Sequence, residues 1–359
     1  MTTVRALRRA RLRSHLLLRP APSPLGAARR MLAVQAQEFW AGRWALAVRS
    51  AGRPGLSDVD AAFDRGELVR SWTMRGTIHV VPAEDLAWVL SATAERQLAQ
   101  AAGRHRQLGL DEDAFRRAER AARGALRGGG RLTRAELFDA FAAAGVDPAG
   151  QRAVHLLQVL SLRGVVCHGP VVPREGGPTR EQHVVLVEDH VPGGAAPEDP
   201  AAELFVRYVA GHGPATAEDF AWWSGLTLGV ARASAAVAAA DARVVADPGG
   251  AGYVALAEDR ARRTAPRVVA LPAFDEFYIS YADRTPVCRP ELLARVGPGA
   301  NGMVRPVLLA DGEVAGVWSH SRAAGRGPST PEPEVLAPEA LSADDARVAL
   351  ERYAAFIGG

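Results

Sequence analysis

The chain reads as an α+β protein made of three tandem winged helix-turn-helix units with a C-terminal β-rich extension. Three observations predict this. A plan of capped helix, second helix and two strands joined by a turn recurs three times along 359 residues. After the third recurrence the pattern changes to strands, with an Asp311-Gly312 turn between two apolar runs. The length also suits two or three domains with cores of their own. The expected divisions are residues 1–105, 106–196 and 197–359.

The N-terminal arginines, Arg5 to Arg13, and the short run Leu16-Leu17-Leu18 read as a first helix, too short for a signal-peptide core. The first unit opens with an apolar-periodic helix, Leu25 to Val34, entered at Ser23-Pro24. It is followed by Gln35-Ala36-Gln37. Positions i and i+2 diverge on a helix but share a side in extended backbone. If both amides serve one site, the helix must therefore end near Val34. Ser57 is placed as the cap of a helix from Asp58 to Phe63, and Arg70 to Val81 supplies the strands. A helical bridge follows, Ala83 to Gln100 and Asp111 to Arg127, the latter with one apolar stripe of Phe115, Ala118, Ala122 and Leu126.

In the second unit, Thr133 and Glu136 stand at capping-box spacing, and Gly145 stops the helix. A helix over Gln151 to Leu162 precedes strands at Val165–Cys167 and His183–Val187, with a Gly/Pro-rich tip between Gly169 and Thr179. The third unit begins with Thr216 and Asp219 in the same capping relation. It continues through a helix from Thr227 to Ala239, the strand Val244-Val245, a turn at Asp247–Gly250 and a strand from Tyr253 to Leu256. Linkers are placed at Gly128–Gly130 and Pro192–Pro200. The extension holds a strand at Val268–Leu271 and a hairpin from Val304 to Trp318. A loop-like tail from Arg322 to Pro333 and a helix from Ser342 to Phe356 complete it.

Formal net charge is +3 and the pI about 9.2, a modest excess of base. All 43 basic Lys/Arg positions are arginine. Without lysine, no side-chain amine can form a Schiff base, which excludes a P-loop NTPase or lyase-coupled chemistry unless the N-terminal amine acts. Cys167 and Cys288 make no disulfide framework, so a reduced, cytoplasmic compartment is expected. No apolar stretch approaches membrane-spanning length. Cys167, His168, His183 and His190 fall close together, but their spacing matches no zinc pattern, and surface histidines on a strand pair account for them. No Gly-x-Ser-x-Gly elbow appears, and the glycine-rich stretches lie at turns and linkers. On the first hairpin, alternation puts Arg75, Thr77 and His79 on one face and Met74, Ile78 and Val80 on the other.

Three strings then appear in a distinctive order: Val34 to Trp40 with its Gln-x-Gln; Arg70-Ser71-Trp72-Thr73-Met74-Arg75-Gly76-Thr77-Ile78-His79; and Leu271 to Tyr278 with Tyr281 to Arg284. Together they resemble the AlkZ-like family of bacterial DNA glycosylases, from about Arg29 to about Trp318. The resemblance implies Gln35 and Gln37 as catalytic residues and a DNA-contacting set of Arg70, Trp72, Thr73, Arg75, Thr77, His79, Arg284 and Arg305. It implies a monomer acting on double-stranded DNA that carries an alkylated purine, with no cofactor or metal. The expected reaction is monofunctional removal of bulky N7-alkylguanine adducts or interstrand crosslinks, in self-resistance to a genotoxic natural product. Glutamine rather than aspartate at position 37 favours that bulky-lesion branch. The family is expected to probe the duplex with a hairpin, here Val304 to Trp318. For Asp275, an ion pair with an arginine competes with a catalytic role. The alternative from another class is a non-enzymatic winged-helix regulator.

Overall fold

The computed structural model describes residues 3–174, 179–247, 252–255, 268–319 and 331–358. The chain enters through α1 (Val4–Ser14). Then come α2 (Pro24–Met31), β1 (Val34–Gln35), α3 (Phe39–Val48), α4 (Leu56–Asp64), β2 (Leu68–Met74) and β3 (Thr77–Pro82). A 3-10 turn leads into α5 (Leu86–Gln107). Next are α6 (Glu112–Leu126), α7 (Arg134–Ala143), α8 (Arg152–Leu162), β4 (Val166–Val171), β5 (Gln182–Leu186) and the single turn α9 (Val187–His190). The next group is α10 (Pro200–His212), α11 (Ala217–Ser224), α12 (Leu228–Ala238), β6 (Val244–Ala246) and β7 (Tyr253–Ala255). The C-terminal region holds β8 (Val268–Leu271), α13 (Glu276–Ile279), α14 (Pro290–Val296), β9 (Val307–Ala310), β10 (Glu313–Ser319), β11 (Glu332–Val335) and α15 (Ala343–Gly358).

One arrangement appears in three places: a helix, a short extended segment, two helices, and a hairpin whose return strand pairs with that segment. In the first place β1 pairs with β3, Val34 opposite Val80 and Gln35 opposite His79. In the second, Leu132 bridges Val184, and in the third Ala215 bridges Tyr253. The Gln-x-Gln string therefore starts in the short pairing segment of the first arrangement. Capping boxes hold α7 (Thr133 with Glu136) and α11 (Thr216 with Asp219). At α4 the cap expected at Ser57 lies two residues earlier. Asp58 accepts from the Gly55 amide at 2.8 Å, so Ser57 sits inside the first turn.

The first hairpin is no free wing. A five-stranded sheet runs β1-β3-β2-β4-β5, joining the first and second arrangements, and Arg70 stands opposite His168 where β2 meets β4. The division expected at residues 105/106 falls within α5. The sequence reading places no helix at α3 or α10, nor at the shorter α9, α13 and α14. All ten residues of α3 are buried, and a helix apolar on every side carries no stripe to recognise. For α10, Asp199 caps the helix and Pro200 opens it, a start signal concealed in what reads as a Pro-rich linker.

The C-terminal sheet runs β11-β10-β9-β8. Asp311 (φ 49°) and Gly312 (φ 83°) form the expected two-residue turn between β9 and β10. Glu332 and Pro333, placed in the sequence at the end of a loop-like tail, instead begin the edge strand β11. Most of that tail (322–330), the third hairpin's tip (248–251) and part of the second's (175–178) lie outside the described residues.

Candidate active site

Several contacts explain why the chain leaves α2 as the strand Val34–Gln35 and bends at Gln37. Leu32 adopts a positive φ of 62° and ends α2, and the Ala36 amide donates to Ile78 O at 2.8 Å. Gly42 on α3 lets that helix close over the strand: a Cβ there would lie 2.5 Å from the Ala36 Cβ. Arg70 fastens the carbonyl side, donating to Ala36 O at 2.7 Å and Gln37 O at 3.3 Å.

Both amide side chains meet the same turn. Gln35 is buried, and its Oε1 accepts from Arg75 at 3.3 Å. Gln37 is exposed, and its Oε1 accepts from the Ile78 amide at 3.3 Å. The turn has positive φ at both central residues, Arg75 (54°) and Gly76 (69°). For arginine this conformation is strained by about 1–3 kcal/mol, and such strain concentrates at functional sites. Gln97 on α5 holds the turn, accepting from Gly76 N at 2.9 Å and donating to Thr73 O at 2.6 Å. The Arg75 stem lies against Gly225, where a Cβ would come within 3.3 Å of it.

His79 is fully buried beneath Arg75. Arginine only donates, so His79 Nε2 accepts from it at 3.4 Å and the Nδ1–H donates to Thr73 Oγ1 at 3.0 Å. Burial, then the Arg75 charge, depress its pKa to about 3, so the ring is neutral. Of the residues expected to contact DNA, Arg75 and Thr77 remain partly exposed at this turn. Arg70, Trp72 and Thr73 are buried because β2 lies between β3 and β4 and is covered along its whole length, and His79 is buried on β3, between β1 and β2. Trp72 packs in the core and tilts against His168, ring centroids 5.8 Å apart. The expected alternation of an open polar face and a covered apolar face thus gives way to a hairpin covered on both sides. Arg284 and Arg305 belong to the C-terminal region, and the Arg284 charge is felt at Arg75. Arg284 lies over the Trp222 and Tyr278 rings, 5.2 and 5.5 Å from their centroids. Arg305 is paired with Glu334 of β11 at 2.5 Å.

The string from Leu271 to Arg284 reaches the glutamine strand from behind. Glu276, with no exposed surface, accepts from the Gln35 backbone amide at 2.8 Å through Oε1. Its Oε2 accepts from Trp223 Nε1 at 3.0 Å and from the Ser280 hydroxyl, and lies 3.6 Å from His212 Nε2. Burial alone would raise this carboxyl's pKa. The neighbouring His212 and the Arg75 charge outweigh it and hold the group well below the usual carboxylate range. Its neighbour Asp275 forms a fully buried bidentate pair with Arg49, at 2.7 and 2.8 Å. Tyr281 donates to His212 O at 2.6 Å and is 2.8 Å from His15 Nε2. Nothing in the sequence pattern marked Glu276, Arg49, His15, His212 or Trp223 as members of this cluster. The only signal was that Glu276 stood inside a distinctive string.

The hairpin expected to probe DNA is closed in. At its tip, a Cβ on Gly312 would come within 3.0 Å of Leu12 on α1, and Glu313 beside it pairs with Arg8 at 2.8 Å and Arg289 at 3.2 Å. Cys167 and His168 are buried on β4 rather than exposed on a wing. Burial pushes the Cys167 thiol up to about 12. Among the described residues, no three His, Cys, Asp or Glu side chains are grouped to hold a metal ion, and no helix is long and apolar enough to cross a membrane.

Comparison with known proteins agrees with this architecture. A family model described as DNA glycosylase AlkZ-like matches residues 28–356. An interstrand DNA cross-link repair glycosylase from Streptomyces sahachiroi is 26% identical over 324 residues, covering 85% of this chain and 84% of the relative. The solved structure of the Streptomyces sahachiroi DNA glycosylase AlkZ superposes with a TM-score of 0.76 at 24% identity, over 99% of this chain and 98% of that one. With a family model spanning nearly the whole chain, the protein belongs to the AlkZ-like family and is a DNA glycosylase.

Proposed function

We propose that this glycosylase hydrolyses the C1′–N9 bond of bulky N7-alkylguanine adducts and interstrand crosslinks, acting as a cytoplasmic monomer in self-resistance to a genotoxic natural product. The observation that carries the reading is the convergence of Gln35 and Gln37 on the Arg75–Ile78 turn. Each side-chain oxygen takes one protein donor. An amide oxygen has two lone pairs, so each keeps one to orient water, while neither amide can act as a base. That limits the chemistry to substrates needing no enzymatic acid. A guanine alkylated at N7 is already cationic. As its glycosidic bond breaks, the electron pair returns to the ring and neutralises it. Water adds to C1′ and releases its proton to solvent, and the two oxygens favour the oxocarbenium-like state electrostatically. On this reading Arg75 and Thr77 contact DNA at the turn, and Arg70, Thr73 and His79 brace it from beneath.

The helices before the hairpin in the first and third arrangements argue against sequence-specific regulation. In the first arrangement α4, the helix before the hairpin, carries Asp58, Asp60 and Asp64. In the third, the only charged residue of α12 is Arg232, tied to Glu218 at 2.9 Å. α4 presents no Arg, Asn or Gln side chain to read base edges, and the single arginine of α12 is held by a carboxylate.

The test is product analysis on a duplex carrying a nitrogen-mustard N7-guanine adduct. Free modified base and an abasic site are expected, with strand breaks only after alkali or heat, and no borohydride-trapped complex because no lysine exists. Retention of the adduct, or tight binding at high salt to one short palindrome, would overturn the reading.

A further inference from the structure

We propose that Glu276 is the positioning residue of the glutamine strand, fixing the Gln35 backbone from behind and setting where both amides stand; the inference rests on the functional reading above. The strand it holds is weakly secured by itself. β1 has two residues and lies at the edge of its sheet, with β3 on one side only. Ala36 N–H points to β3, so the Gln35 N–H points away from it. An outward amide at a sheet edge ordinarily meets water or stays unpaired. Here it meets a carboxylate 241 residues away in sequence at 2.8 Å.

The carboxylate is in turn held rigidly. Oε2 takes the Trp223 indole and the Ser280 hydroxyl, on α11 and at the end of α13. Every named partner of both oxygens is a donor, which an acceptor-only group satisfies and an amide cannot. Glutamine at 276 would turn an NH2 toward either the Gln35 amide or the indole, leaving donor against donor inside the protein. The charge matters as well. No arginine forms an ion pair with Glu276 among the described residues, and the His212 ring stands 3.6 Å from it. A buried anion without a contacting cation is costly. Its place directly behind the strand that faces an emerging sugar cation gives that cost a purpose.

The experiment compares wild type, Glu276→Gln, Gln35→Ala and the surface control Glu84→Gln on the mustard-adduct duplex. Single-turnover excision, DNA affinity and amide hydrogen exchange are measured for each. Glu276→Gln is expected to slow excision by about 100-fold, of the order lost with one preorganised polar group, with Kd changed less than about threefold. Exchange should speed up in residues 33–37 and stay unchanged in β9 and β10, a local signature that general destabilisation would not produce. Glu84→Gln should match wild type. A folded Glu276→Gln that excises within about fivefold of wild type, while Gln35→Ala is inactive, overturns this inference alone. A Gln35→Ala that excises normally overturns the underlying reading with it. If Glu276→Gln does not fold, Ser280→Ala decides: removing one donor from Oε2 should slow excision by about threefold to tenfold at unchanged affinity, and a wild-type rate there also overturns the proposal.

Discussion

Replacing Gln35 and Gln37 singly by alanine should separate catalysis from stability, because the structure gives the two side chains different surroundings. Gln37 is exposed and makes one 3.3 Å acceptor contact with Ile78 N. Losing it should cost at most about 1 kcal/mol of stability. Gln35 is buried and receives Arg75 at 3.3 Å. Its truncation leaves the partly exposed guanidinium with His79, a loss of about 0.5–1.5 kcal/mol for one hydrogen bond. In catalysis both should be severe. Removing one preorganised polar group costs about 2.7–4 kcal/mol of transition-state stabilisation, roughly 100- to 1,000-fold in rate. The double variant should be little slower than the slower single one, since groups acting as a unit are not additive. Gln37→Asp should keep activity on small cationic adducts, where a carboxylate still accepts from water. The assay is single-turnover excision with enzyme in excess, beside DNA affinity and denaturant unfolding of the same preparations. If both alanine variants excise at the wild-type rate, or if Gln37→Ala loses rate only in step with stability, the pair is not the reacting centre.

Other outcomes follow from the surroundings. Asp275→Asn breaks a bidentate pair with Arg49 that has no exposed side-chain surface, so it should lower unfolding free energy by about 3–5 kcal/mol; a loss below about 1 kcal/mol in urea melts would refute a structural role. His79 and His168 have folded pKa values near 3, below their unfolded value, with burial the main cause. Their neutral burial therefore stabilises fully above the unfolded pKa of about 6.5 and is lost as pH falls toward 3, at up to about 1.4 kcal/mol per pH unit for each. Denaturant melts at pH 7, 6 and 5 should show this slope, and His168→Gln should flatten it. Gly312→Ala places a Cβ 3.0 Å from Leu12 at a φ of 83°, costing about 1–2 kcal/mol. Excision per folded molecule should stay unchanged; a specific loss on bulky adducts would return this hairpin to the DNA surface.

Local chemistry made much of this protein legible in its sequence. Thr133 with Glu136, Thr216 with Asp219, and the Asp311-Gly312 turn act within a few residues, and each forms where its pattern implies. An end of α2 ahead of Gln35 was expected only if both amides serve one site, near Val34, and the helix stops at Met31. Tertiary structure decided what became of those elements. Whether the first hairpin is a free wing depends on β4 arriving beside β2, about a hundred residues later in the chain, and that pairing covers Arg70 and Trp72 of β2. α3 escaped notice because burial on every side erases the stripe that marks an amphipathic helix. Glu276 escaped for the same kind of reason. Its role rests on an amide, an indole and a hydroxyl brought together from distant segments. A periodic pattern records which side of an element is buried, not which partner buries it.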